Sequence, residues 1–302
     1  MQVSSAAEAG LTPQEPGAAQ SATDSIVSGS LDQAPEAGLS RDAAMLSSNG
    51  GVTELTPGLA SLTLDDARLA MDAYSDSGAP EGFTRLDDAQ LSETVGAPVV
   101  TDDPETGFGA GVYRSDETGD MTVAFRGSQS DSLQDIRTDW LGTNFGQAFG
   151  NEVPESYQQG SELAGLIQGA YGDEADVSLT GHSMGGGIAN YAAIENDMDY
   201  TAFNAAGLSS HTVDQLGDDV DNYSGRGVVI NDAYDPLTNL GGNNNAETWG
   251  DGARHVAFDE LVFVENDNFS SWWDTAFDFG KRVDAHNLGN VLPVLEETAA
   301  MA

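Results

Sequence analysis

The chain has 302 residues, of which 50 are acidic and 10 basic, giving a formal net charge of −40, and it contains no cysteine. Phosphate recognition needs clustered cations, so this balance excludes nucleic acid as a partner. The missing cysteine excludes disulfides, thiol catalysis and thiolate metal sites.

Residues 1–58 are rich in Ala, Ser, Gly and acids, carry four prolines and hold no aromatic residue; the first aromatic is Tyr74. Such a composition cannot bury enough apolar area to offset its ordering entropy. It reads as a disordered N-terminal segment ahead of a catalytic domain at 59–302. Met1–Gly10 has neither a cationic nor an apolar leader region, so the expected route out of a bacterial cell is one without a cleaved signal peptide.

From there the elements alternate. Apolar spacing predicts a helix over Leu64–Tyr74, capped by Thr63. Gly109–Arg114 and Met121–Phe125 read as strands joined by a turn at 116–120. Glu155–Tyr171 reads as a helix, Asp176–Thr180 as a strand and Met184–Asn196 as a helix. Two more strands follow, at Tyr200–Asn204 and Gly227–Asn231, and Arg254–Phe258 also looks like a strand. Strands alternating with helices imply an α/β fold, a mostly parallel central sheet with helices on both faces.

Thr180-Gly-His-Ser-Met-Gly-Gly-Gly187 sits between a predicted strand and a predicted helix and contains Gly-x-Ser-x-Gly. A serine on so tight a turn is lifted above the sheet, with the helix dipole aimed at any oxyanion beside it. Ser183 is therefore the expected nucleophile. It needs a base and an orienting acid. Of the four histidines, His182 must point away from the serine and His211 follows the elbow too closely. The order Ser, acid, His favours His286, with His255 as the fallback. Between serine and base, Asp235 precedes Pro236 in a loop just past a strand and is preferred to Asp232.

Three segments resemble the class 3 lipase family, serine esterases of α/β-hydrolase fold that include bacterial phospholipases A1. They are Val123–Ser128, Val177–Gly186, and Ala202–Gly207 followed by Asp235-Pro-Leu-Thr. The resemblance implies an oxyanion hole built from Ser128 and the Met184 amide. It also implies hydrolysis of lipid carboxyl esters, phospholipase A1 chemistry ahead of triacylglycerol lipase or esterase activity. The other-class alternative is a non-catalytic acidic binding protein on the same scaffold. Family members place a lid after the oxyanion strand; the stretch here is short, so a small or absent lid is expected as much as a full one, with Trp140, Leu141 and Phe145 the residues that would meet substrate. Phe269, Trp272, Trp273, Ala276 and Phe277 share one helical face, as core or as an acyl-chain wall.

No cofactor is expected. Asp218–Asp221 and Asn243–Asn245 offer oxygen ligands for Ca²⁺ without the spacing of an established calcium loop. The partners implied are a lipid or phospholipid and, transiently, the membrane or micelle surface that carries it. The excess of Asp over Glu and the lone Lys281 resemble proteins from saline environments.

Overall fold

In the computed structural model the described residues are 51–75, 78–127, 153–235, 237, 253–266, 268–269 and 284–302. Their elements run β1 (Gly51–Thr53), α1 (Pro57–Asp72), β2 (Phe83–Leu86), α2 (Asp88–Val95), β3 (Asp102–Asp103), β4 (Phe108–Ser115) and β5 (Met121–Phe125). Then come α3 (Glu155–Tyr171), β6 (Val177–His182), α4 (Met184–Asn196), β7 (Asp199–Phe203), α5 (Ser210–Leu216) and α6 (Asp219–Asn222). Last are β8 (Gly227–Asp232), β9 (Glu260–Val264) and α7 (Leu288–Ala299). Hydrogen bonding orders the sheet β1-β9-β8-β7-β6-β5-β4-β2, with β3 on β4. Strands β5 to β9 and β1 run parallel to one another, while β4 pairs antiparallel with β5, β2 and β3.

Both faces are covered, as the alternation demands. On one face α1 and α7 bring Leu59, Ala67, Leu288, Val291 and Leu295 against Phe203, Ile230 and Val262. On the other, α3 and α4 bring Leu163, Ile167, Ile188 and Ala192 against Val123, Phe125, Leu179 and Val229. Each such large side chain removed from water contributes about 1.5–3 kcal/mol. Every residue of α4 from Gly185 to Ile194 is buried. That is why this helix shows no amphipathic stripe in the sequence.

Three of the boundaries read in the sequence shift by more than two residues. Helix α1 begins at Pro57, not Leu64, with Thr56 as its cap accepting from the Leu59 amide at 3.2 Å. Thr63 lies mid-helix, buried, its hydroxyl donating to the Leu59 carbonyl. Proline at the first helical position explains the earlier start, since its missing N–H is an orphan there anyway. Second, β1 falls inside the segment read as disordered. Its three residues are exposed, and Gly51–Thr53 register on Glu260–Val262 of β9. A strand joined through its backbone leaves no apolar signature. Third, Arg254 makes only an isolated bridge to Leu208, and the strand in this region is Glu260–Val264.

Candidate active site

Parallel pairing brings the C-terminal ends of β5, β6, β7 and β8 to one edge, the place where open α/β sheets bind ligands. Ser183 follows β6 directly and caps α4, with φ 61° and ψ −128°. That backbone geometry costs a non-glycine residue about 1–3 kcal/mol. The neighbours make it possible. A Cβ on Gly181 would collide with the Gly185 carbonyl, one on Gly185 with the Phe125 carbonyl, and one on Gly186 with Ala205. Strand, turn and helix therefore approach closer than any side chain permits.

The expected triad residues come together. His286 Nε2 lies 2.8 Å from Ser183 Oγ, and His286 Nδ1 lies 3.1 Å from Asp235 Oδ2. Asp235 is fully buried, and its other oxygen accepts from the Leu237 amide at 3.0 Å. Serine and base are also buried, at 7% and 8% exposure, so water competes little for their hydrogen bond.

Asp232, the alternative acid, is equally buried but occupied elsewhere. It accepts from the Tyr234 amide at 2.8 Å and from Asn266. Its own backbone carbonyl receives the Asp235 amide at 3.1 Å. Burial, with Asp235 adding repulsion, pushes its carboxyl up to about 7. His255 meets Asn231 instead of the serine, and burial lowers it to about 4. His211 lies in α5.

Met184 opens α4, at the positive end of the helix dipole. Gly127, two residues past β5, lies against the elbow: a Cβ there would come within 3.0 Å of the Ser183 Cβ. Ser128, Trp140, Leu141, Phe145, Trp272 and Trp273 lie outside the described residues, as do Asn243–Asn245. Of the apolar stripe that begins at Phe269, only that residue is described, its ring 6.1 Å from that of Tyr234. Among the described residues no group of three or more His, Asp or Glu is arranged to hold a metal ion. Nor is any described helix long and apolar enough to cross a membrane.

Two contributors escaped sequence reasoning. Asn204, at φ 42°, donates from Nδ2 to the His286 carbonyl at 3.1 Å and accepts the Asp232 amide at 2.6 Å. It ties the base to the strand that carries the acid. Tyr74, just past α1, contacts His182 and Gly127. An asparagine in a left-handed conformation right after a strand is a signal that only backbone angles reveal.

Residues 65–250 match the Tle-like phospholipase domain. The chain is 30% identical over 239 residues to an extracellular phospholipase A1 of Serratia liquefaciens, covering 76% of this chain and 69% of that protein. Among solved structures, the Lip2 lipase of Yarrowia lipolytica is 13% identical, with a TM-score of 0.47 over 79% of this chain and 95% of that one. A lipase from Rhizopus microsporus var. chinensis is 17% identical, with a TM-score of 0.40 over 64% and 72%. With the family match spanning more than half its length, the chain belongs to the Tle-like phospholipase domain family.

Proposed function

We propose that the protein is a serine hydrolase of lipid carboxyl esters, acting as a phospholipase A1. The observation that carries this reading is the unbroken hydrogen-bonded line from Asp235 through His286 to Ser183 on a strained elbow. Ser183 Oγ attacks the ester carbonyl while His286 Nε2 takes its proton. Asp235 holds the Nδ1–H and stabilises the imidazolium. The oxyanion is met by the Met184 amide and, from the sequence, by Ser128, each such donor supplying ~3 kcal/mol. His286 then protonates the leaving alkoxide, and water, activated by the same base, releases the fatty acid.

The choice of phospholipid over neutral ester is supported by the family match and by the name of the Serratia relative. That relative is described as extracellular, which supports secretion. The −40 charge supports adaptation to a saline surrounding.

The test has two arms. Purified protein should label with a fluorophosphonate, and Ser183→Ala should lose labelling and on the order of 10⁴ to 10⁶ in turnover while keeping its circular dichroism. Mass spectrometry of products from a mixed phospholipid and triglyceride panel should give sn-1 fatty acid and 2-acyl lysophospholipid. Release of diglyceride alone would make it a neutral lipase, and full activity in Ser183→Ala would overturn the mechanism.

A further inference from the structure

His182 adjoins the nucleophile but takes no part in the proton transfers above, and both of its ring nitrogens are engaged. Nε2 lies 2.8 Å from the His286 carbonyl oxygen, and Nδ1 lies 2.9 Å from the Tyr74 hydroxyl. A carbonyl only accepts, so Nε2 carries the proton and Nδ1 accepts from Tyr74. The Tyr74 oxygen in turn accepts the Gly127 amide at 2.9 Å and stands 3.3 Å from the His182 carbonyl. The Tyr74 hydroxyl can also donate to that carbonyl, and the shorter 2.9 Å contact to an Nδ1 that can only accept sets the direction along the line. Gly127 N–H donates to Tyr74, Tyr74 O–H to His182, and His182 N–H to the backbone of the base.

The line joins three elements around one serine. Gly127 lies two residues past β5, His182 ends β6 immediately before the elbow, and His286, two residues ahead of α7, is held by its carbonyl. Asn204 donates to that same carbonyl. The rings of His182 and His286 are 4.8 Å apart. During turnover His286 becomes an imidazolium, and a second cation at that distance would oppose it. Burial, with His286 adding to it, lowers His182 to about 3, so it stays neutral. Its protonated nitrogen is pinned on the side away from Tyr74.

We propose that Tyr74 and His182 form a positioning relay, which holds the end of β5 and the backbone of the base in fixed relation to Ser183. It rests on the serine-hydrolase reading and deepens it. Neither residue reaches the reacting atoms. Their action is on alignment, so their loss lowers kcat and leaves substrate binding intact.

The experiment compares Tyr74→Phe, His182→Leu, His182→Gln and the double variant Tyr74→Phe/His182→Leu in the full chain. Turnover is normalised to the number of sites labelled by a fluorophosphonate, which removes misfolded molecules from the count. Loss of one aligned hydrogen bond should lower kcat roughly 10-fold in Tyr74→Phe, with KM within twofold. His182→Leu should lose roughly 10- to 100-fold. Glutamine has a donor and an acceptor of its own and should recover most of that loss. Because the two residues act in one line, the double variant should be no worse than His182→Leu.

Wild-type-like kcat in both single variants, or losses that multiply in the double variant, would overturn the relay. So would a lowered melting temperature with kcat per labelled site unchanged. In each of those cases the wild type still labels and Ser183→Ala does not. An unlabelled wild type would instead overturn the hydrolase reading and the relay with it.

Discussion

The turns after β6 and β8 stand at the same edge of the sheet and are built in opposite ways. The first is made by vacancy. Gly181, Gly185 and Gly186 remove every Cβ that would keep strand, helix and β5 apart, and Ser183 takes the strained position among them. The second is made by acceptor oxygens. Asp232 and Asp235, three residues apart and both fully buried, fold the chain onto their own oxygens through the Tyr234 and Leu237 amides. A turn of the first kind tolerates no added volume. A turn of the second kind tolerates no lost acceptor, and between its two carboxylates only Asp235 meets the imidazole.

That contrast can be broken most severely at the elbow. Gly185→Ala places a methyl group on the backbone oxygen of Phe125, where no rotamer can yield. We expect loss of soluble, labelled protein altogether, read by active-site titration. A well-folded, fully labelled Gly185→Ala would show that the turn has slack.

At the acid turn the two carboxylates should separate. Asp235→Asn should reduce turnover on the order of 10⁴ by favouring the wrong imidazole tautomer. Asp232→Asn should lose far less turnover, since its Oδ1 still accepts from Tyr234. The reverse ranking, in kcat measured on one phospholipid substrate, would move the acid to Asp232.

A half-buried carboxylate that shapes no turn provides the control. Asp66 on α1 accepts from the Thr201 hydroxyl at 2.7 Å, and burial pushes it up to about 7. Between about pH 4 and 7 the folded chain therefore keeps a proton that the unfolded chain has released. Stability from this group is present at the acid end and declines as pH rises towards 7. Asp66→Asn should remove that decline, raising the melting temperature by roughly 2–4 °C at pH 8 and leaving it unchanged at pH 4. An equal shift at both pH values would mean that the effect is packing.

The smallest effect should fall on both turns alike. With −40 of net charge, self-repulsion reaches across ~30 Å at 0.01 M salt and ~3 Å at 1 M. Adding salt should raise the melting temperature by a few degrees and improve the relative rate on anionic vesicles. A flat profile would reduce the acidity to an aid to solubility.

The difference between the turns also explains what could be read from the sequence. Vacancy is written in letters: Gly-x-Ser-x-Gly between a strand and a helix locates Ser183 and the start of α4. Chain order then leaves few options for acid and base, and the Asp-Pro step selects Asp235. Tyr74 and Asn204 carry no such mark. Each is an ordinary residue whose role comes from elements distant in sequence, Tyr74 lying 108 positions before its imidazole partner. β1 and the first turn of α1 were hidden for another reason. They are held by backbone pairing and by a Thr-Pro start, neither of which shows as hydrophobic period.

One feature of the fold governs when such an enzyme can become active. Helix α7 packs on α1 over the same strands, and Arg68 on α1 reaches Glu296 on α7 at 3.1 Å. The base residue lies just ahead of α7, and the relay tyrosine just past α1. The serine is therefore translated about a hundred residues before the group that activates it, and the platform for the tyrosine closes only when α7 arrives. Until His286 has left the ribosome, the nascent chain holds a nucleophile without a base. Ribosome-bound chains stalled short of His286 should therefore not react with a fluorophosphonate.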